Sequence, residues 1–369
     1  MTSISTGIRP DRLKKLFKRL VDIYSPSGKE EEILEYLHGH LRRRRLPVIR
    51  QPLDGSRYNL VVAPAETDIQ MALVGHLDTV AAHDLDRMDF EEENDRVTGL
   101  GTADMKGNCA AMVEAYLAAW ELGPPRPAAA LAMVVGEEEE GDGAQRLVEE
   151  CHFPWAVIGE PTDLRPCLSH YGYLELQISM VGRRVHASLA NRKESPIDAM
   201  LHAISALTHH METTRSDLVY NIRDLFSSPS GFAVPDRCAA WLDIHLPPAA
   251  PVGEIVTELE ELFAGQGTRH PGVTATLRVN TIDGGYELPE RGALVETLKA
   301  VFSRYGLSWA PQAFRSHSDA NKLWSAGMKP VILGAGQLEM AHTPDESVSF
   351  AQVCRAADLY LALLVDLRS

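Results

Sequence analysis

Of 369 residues only five are cysteine, at positions 109, 151, 167, 238 and 354. Their number is odd and no CxxC spacing occurs, which excludes a disulfide-framed fold and a thiolate-ligated structural zinc site and suits reduced thiols. Basic residues are also few, 36 against 51 acidic ones, for a formal net charge of −15. Such a balance repels nucleic acid and anionic lipid. No apolar run is long enough to cross a membrane, and the opening MTSISTGIRPDRLKKLFKRL lacks the apolar stretch of a secretion signal, so a cytoplasmic protein is expected. Hydrophobic residues at 45% and charged residues at 24% are ordinary for a globular enzyme. The length favours two domains.

Helical spacing of Leu13, Leu16, Phe17, Leu20 and Tyr24 after Pro10 predicts a first helix. Ser27 followed by Glu30 reads as a capping box for a second helix through Leu41, with Arg42–Arg45 at its exposed end. Strand-like YNLVVA (58–63), MALVG (71–75), LAMVVG (131–136) and WAVIG (155–159) then alternate with helices at about 105–121 and 143–151. This order predicts an α/β fold, a mostly parallel sheet with helices on both faces.

From Tyr171 the texture changes. YLELQISMVG, a helix at about 195–211, GFAVP, AAWLDIHL, a helix at about 253–264 and VTATLRVN follow in the order of a ferredoxin-like sandwich. The earlier pattern returns with helices at about 291–305 and 318–326, PVILGAG (330–336) and a closing helix at about 350–367. The expected organisation is a catalytic domain in two parts, 1–171 and 284–369, interrupted by an inserted ferredoxin-like α+β domain at 172–283.

Ligands of open parallel sheets gather beyond the carboxyl ends of the strands. There MALVG runs into His76-Leu77-Asp78, LAMVVG into Glu137–Glu140, WAVIG into Glu160, and PVILGAG is followed six residues on by His342. Asp104 sits in the glycine-bracketed loop GLGTADMKG (99–107). Taken singly, each residue has an ordinary reading: a strand-end histidine as a hydrogen-bonding residue, an acidic run as a solvated face, Asp104 as a helix cap. Two imidazoles with several carboxylates and no thiolate form instead a ligand set suited to zinc, cobalt or manganese in catalysis, and a bridging carboxylate would hold two ions together.

GHLDTV, GLGTADMKG, the acidic run after a strand, GEPTD (159–163), VHAS (185–188) and AHTPDESV (341–348) resemble, in order, the motifs of the co-catalytic metallopeptidase family that includes acetylornithine deacetylase, succinyl-diaminopimelate desuccinylase, aminoacylase and carboxypeptidase G. The segment SDANKLWSAGMKPVILGAG is most similar to the acetylornithine deacetylase group. The resemblance implies a zinc-peptidase-like catalytic domain with two divalent ions, zinc before cobalt or manganese. His76, Asp104 and Glu160 would hold one ion, and His342, Asp104 and an acidic-run carboxylate the other, with Asp104 as bridge and a cis peptide between Asp104 and Met105. Asp78 would fix the tautomer of His76 by accepting its hydrogen bond. Alignment on Gly143-Ala144 makes Glu137 the general base and Glu138 the ligand; alignment on Gly141 shifts these roles to Glu138 and Glu139. Gly136 stands where the family usually has aspartate.

The resemblance also implies that the inserted domain is a dimerisation or lid domain whose His186 reaches the site of a second subunit to stabilise an oxyanion. The implied substrate is a small N-acyl amino acid, with a dipeptide or carboxypeptidase substrate, or a catalytically inactive metal-binding protein of the same fold, as alternatives. At two positions where members grip a substrate carboxylate with asparagine and arginine, this chain has Phe232 and His245; Arg315 is a candidate substitute.

Overall fold

The computed structural model describes residues 7–65, 67–82, 88–229, 231–267 and 269–367. The first six residues of the opening stretch and His83 therefore lie outside the described residues. Among the described residues there are nine α-helices, and none is long and apolar enough to cross a membrane. The backbone divides into two compact units, one running to Ser169 and including Leu288–Phe314 and Ser318 onward, the other comprising His170–Glu287 and Arg315–His317.

The larger unit is built on four adjacent parallel strands, Ala129–Val134, Met71–His76, Trp155–Ile158 and Lys329–Ile332. Antiparallel strands Tyr58–Val62 and Val48–Pro52 extend one side, and Ile332 bridges antiparallel to Cys167 on the other. Every residue of Met71–His76 and of Ala129–Val134 is buried, as expected for strands covered on both faces. The register pairs His76 with Val134, Val74 with Ile158, and Ile158 with Ile332, so the four carboxyl ends finish close together along one sheet edge. The helix Gly107–Glu121 is buried on all sides through Ala119; its run of alanines lets it pack closely against the closing helix Phe350–Asp366. A small sheet of Glu91–Glu93, Arg96–Thr98 and Ser347–Ser349, not anticipated from the sequence, ties the segment after His342 to the strand before the Asp104 loop.

The smaller unit has an antiparallel sheet in the order Val219–Ser227, Arg237–Leu246, Gly172–Val181, Thr274–Asp283, with helices Pro196–Thr214 and Val252–Gly267. Its core includes Leu174, Leu176, Ile178, Leu207, Leu242 and Ile244. The second strand differs from expectation. GFAVP yields only Ala233–Val234, paired with Val185–His186, while Val219–Ser227 takes the sheet edge; its residues are largely exposed, so no clean alternation marks it.

The capping box is also corrected. The second helix is Glu31–Arg43 with Glu30 as its N-cap and no side-chain cap, and the Ser27 hydroxyl donates instead to Asp78 Oδ2 at 2.7 Å. Glu30 is fully buried and pairs with Arg57. Similarly, the helix expected from about 105 begins at Gly107, preceded by a wider turn, Thr102–Lys106, in which Asp104 has extended backbone angles.

Candidate metal centre

The strand ends and the Asp104 loop deliver six side chains to one place. Asp104 lies between the two imidazoles: its Oδ1 is 3.2 Å from His76 Nε2 and its Oδ2 is 3.5 Å from His342 Nε2. On the His76 side, Nε2 stands 3.8 Å from Glu160 Oε1 and 3.9 Å from Glu137 Oε2. On the other side, Glu138 Oε2 is 2.9 Å from His342 Nε2. Three trios bring their donor atoms within 4.8 Å of one another: His76, Asp104 and Glu160; Asp104, Glu138 and His342; and His76, Glu137 and Glu138. Glu139 and Glu140 are exposed.

The electrostatics are those of a cation cage. Burial lifts Glu137 and Glu160 well above the ordinary carboxylate range, and neighbouring acids add to it. Burial opposes charge on His76, yet Asp104 and the surrounding carboxylates outweigh it and hold the imidazole well above its usual value. Glu138 raises His342 to about 9. Glu160 Oε1 is buried without a hydrogen-bond partner. Two buried acids, Asp104 and Glu160, and two half-buried ones, Glu137 and Glu138, packed around two imidazoles with an orphan oxygen among them make a costly arrangement unless cations neutralise it. The nitrogen and oxygen donors fit divalent ions of the zinc, cobalt and manganese type.

Residues 72–366 match the model of Peptidase family M20/M25/M40. The chain belongs to this family. Accordingly it is a hydrolase of amide bonds. It is 26% identical over 356 residues to an acetylornithine deacetylase from Erwinia tasmaniensis, covering 89% of each chain. It is 32% identical over 376 residues to a probable carboxypeptidase from Aspergillus flavus, covering 94% of this chain and 85% of the other. A tripeptidase from Staphylococcus aureus shares the fold with a TM-score of 0.83 at 22% identity, over 98% of this chain and 99% of that one.

This M20-family protein places the expected residues unevenly. His76, Asp104, Glu137, Glu138, Glu160 and His342 converge, and the Asp104–Met105 peptide is cis. Asp78 meets His76 through its backbone and not, as expected, through its carboxylate. His76 Nδ1 donates to its backbone carbonyl at 3.0 Å, while its carboxylate lies 3.6 Å away, too far for a hydrogen bond. That carboxylate instead accepts from Ser27 and, at 3.0 Å, from the backbone N–H of Glu138, so it aligns the acidic loop with the His76 strand. His186 belongs to the smaller unit, where its ring is exposed and its Nδ1 engages Ser188.

Several supporting residues escaped the sequence reading. Glu346, four residues after His342, is buried and accepts from the backbone N–H groups of Gly101, Ala103 and Asp104 at 2.8, 2.8 and 3.0 Å. One carboxylate thus fastens the loop carrying Asp104 to the segment carrying His342. Asn108 exchanges two hydrogen bonds with Ala335, holding PVILGAG to the start of its helix. Arg57 forks onto Asp142 at 2.5 and 2.9 Å just after the acidic loop. That fork explains Gly136: a Cβ there would stand 2.0 Å from Asp142 Oδ1 and 2.6 Å from Arg57 Nη2, and its φ is +73°. Asp319, buried with Oδ1 unpartnered and raised by burial to about 7, is a further acid near the cage.

Proposed function

We propose that this protein removes an acyl group from a small N-acyl amino acid at a dinuclear metal site. The observation that carries the reading is Asp104, whose two oxygens each face a different imidazole, with Glu160 completing one side and Glu138 the other. When bound, two divalent ions would polarise the scissile carbonyl and acidify a water molecule. In this reading His76, Asp104 and Glu160 hold one ion and Asp104, Glu138 and His342 the other. Glu137 shares no trio with Asp104 and in this reading holds neither ion, which leaves its carboxylate to take a proton from water and return it to the leaving amine. Asp78 and Ser27 orient His76 and the acidic loop.

The test is metal removal. Hydrolysis of an acetylated amino-acid panel should vanish on chelation and return with zinc or cobalt; activity indifferent to chelation overturns the reading. A dipeptidase or carboxypeptidase activity on the same residues is the second reading, favoured by the carboxypeptidase-named relative at 32% identity. His245, which burial holds below the usual imidazole range, is a poor replacement for arginine on the α-carboxylate that both substrate classes carry, so it favours neither. Side-by-side kinetics on acetyl amino acids and dipeptides decide between the two.

We also propose that the protein is a homodimer in which His186 serves the partner's site. The exposed edge strand Val219–Ser227, carrying exposed Ile222, Leu225 and Phe226, offers a surface for a second copy. Mixing inactive His186→Ala and Glu137→Gln subunits should restore part of the activity; no recovery in a verified mixed dimer removes His186 from the mechanism.

A further inference from the structure

In a chain with net charge −15, one groove reverses the sign. It lies in the larger unit, between the helices Pro10–Val21 and Glu31–Arg43, with a volume of about 810 Å³. Arg9, Arg12, Lys15, Arg43 and Arg44 line it, against a single lining acid, Asp11, among the described residues. Arg9 and Arg12 are neutralised from outside, Arg9 by Glu121 and Arg12 by Glu114 and Glu121. Lys15, Arg43 and Arg44 have no carboxylate within 4 Å among the described residues, leaving three uncompensated positive charges. A buried polar group adds to them: His40, another lining residue, is 6% exposed and its Nε2 has no hydrogen-bond partner. Burial and then the charges of Arg44, Arg43 and Arg12 push this imidazole down to about 3, so the ring stays neutral, and Arg44 donates to the His40 carbonyl at 3.4 Å.

Like charges held together in a concavity repel one another until an anion joins them. Guanidinium forks match phosphate oxygens. The groove is of the size that takes a small molecule, roughly 300–1,000 Å³. A long polyanion or a lipid surface would meet the acidic remainder of the protein and be repelled. We propose that this groove binds a small soluble anion carrying two or more phosphate groups, held by Lys15, Arg43 and Arg44.

Calorimetric titration of the full-length, metal-loaded protein with inorganic pyrophosphate tests this, with orthophosphate and phosphatidylserine vesicles as parallel arms. The expected result is one pyrophosphate per chain, weaker orthophosphate binding and no vesicle binding. Lys15 and Arg43 are exposed and outside the hydrolytic machinery, so Lys15→Glu and Arg43→Glu should keep the wild-type melting temperature and hydrolysis while weakening pyrophosphate about tenfold or more. Pyrophosphate that merely sequestered the metal ions would act equally on wild type and variants. Binding undiminished in both variants, no binding by wild type, or binding to vesicles but not to pyrophosphate each overturns the proposal.

Discussion

Four strands lie at the heart of each unit, and they bury different things. In the larger unit the parallel strands Met71–His76 and Ala129–Val134 are enclosed along their whole length and their two neighbours from the second residue on, so chemistry gathers at the carboxyl ends, which lead into acids and imidazoles. In the smaller unit the strand Thr274–Asp283 alternates exposed and half-buried residues, and the sheet encloses an apolar core of leucine, isoleucine and methionine. Burial there stabilises the fold. Burial of Glu137, Glu138 and Glu160 opposes it, and such residues persist where an ion offsets the cost. Substitutions in the two regions should therefore separate cleanly into function and stability.

The largest effect is expected at Glu137. Glu137→Gln keeps the shape and removes the proton carrier, so kcat should fall by about 10²- to 10⁴-fold with metal content unchanged. The metal-free variant should melt no lower than metal-free wild type, because a buried acid has been removed. Turnover at the wild-type rate with metal bound would shift the base to another acid. In the smaller unit, Leu242→Ala should behave in the opposite way. Leu242 is fully buried in the apolar core, and its truncation should cost about 3 kcal/mol of stability in denaturant titration while metal affinity stays at the wild-type value. A matching loss of metal affinity would break the separation.

The same contrast explains what could be read from the residues alone. Enclosed parallel strands announce themselves as continuous apolar runs, and His76, Glu160 and the acidic run each follow one directly, so these residues, ordinary when taken singly, are legible as a set. The edge strand Val219–Ser227 is not, because its exposed faces carry no alternation. Ser27 was misread because Ser-x-x-Glu fits a capping box, whereas the hydroxyl is drawn to Asp78, a partner 51 residues away in sequence. Glu346 lies within AHTPDESV, yet its partners are backbone N–H groups of a distant loop, which no side-chain pattern reveals.

Glu346 supplies the next test. Gln at 346 keeps an acceptor for Ala103 and Asp104 but turns an amide donor toward Gly101 N–H, loosening the Asp104 loop. Metal affinity measured by competition with a chromogenic chelator should drop about tenfold, as for other groups that orient ligands. Unchanged affinity would mean that the loop holds its shape without this carboxylate.

The smallest expected effect is a pH slope, and its sign separates the cage and the buried acids beside it from the buried histidines and lysine elsewhere. Glu138 raises His342 to about 9, against an unfolded value near 6.5. Its stabilisation is therefore complete below about pH 6.5 and is lost as pH rises through about 9. Glu346, raised by burial to about 7, has the same sign at a lower pH. His40 and His170, pushed by burial to about 3, act oppositely but only below about pH 6.5, and Lys106, lowered by burial to about 8, acts oppositely above that value. Between pH 7 and 8 the cage dominates, so the melting temperature of the chelator-treated protein should fall as pH rises. With metal restored the slope should largely disappear, because a coordinated imidazole is already deprotonated. His342→Asn should flatten the slope without metal, whereas Leu242→Ala should lower the melting temperature at every pH and leave the slope intact.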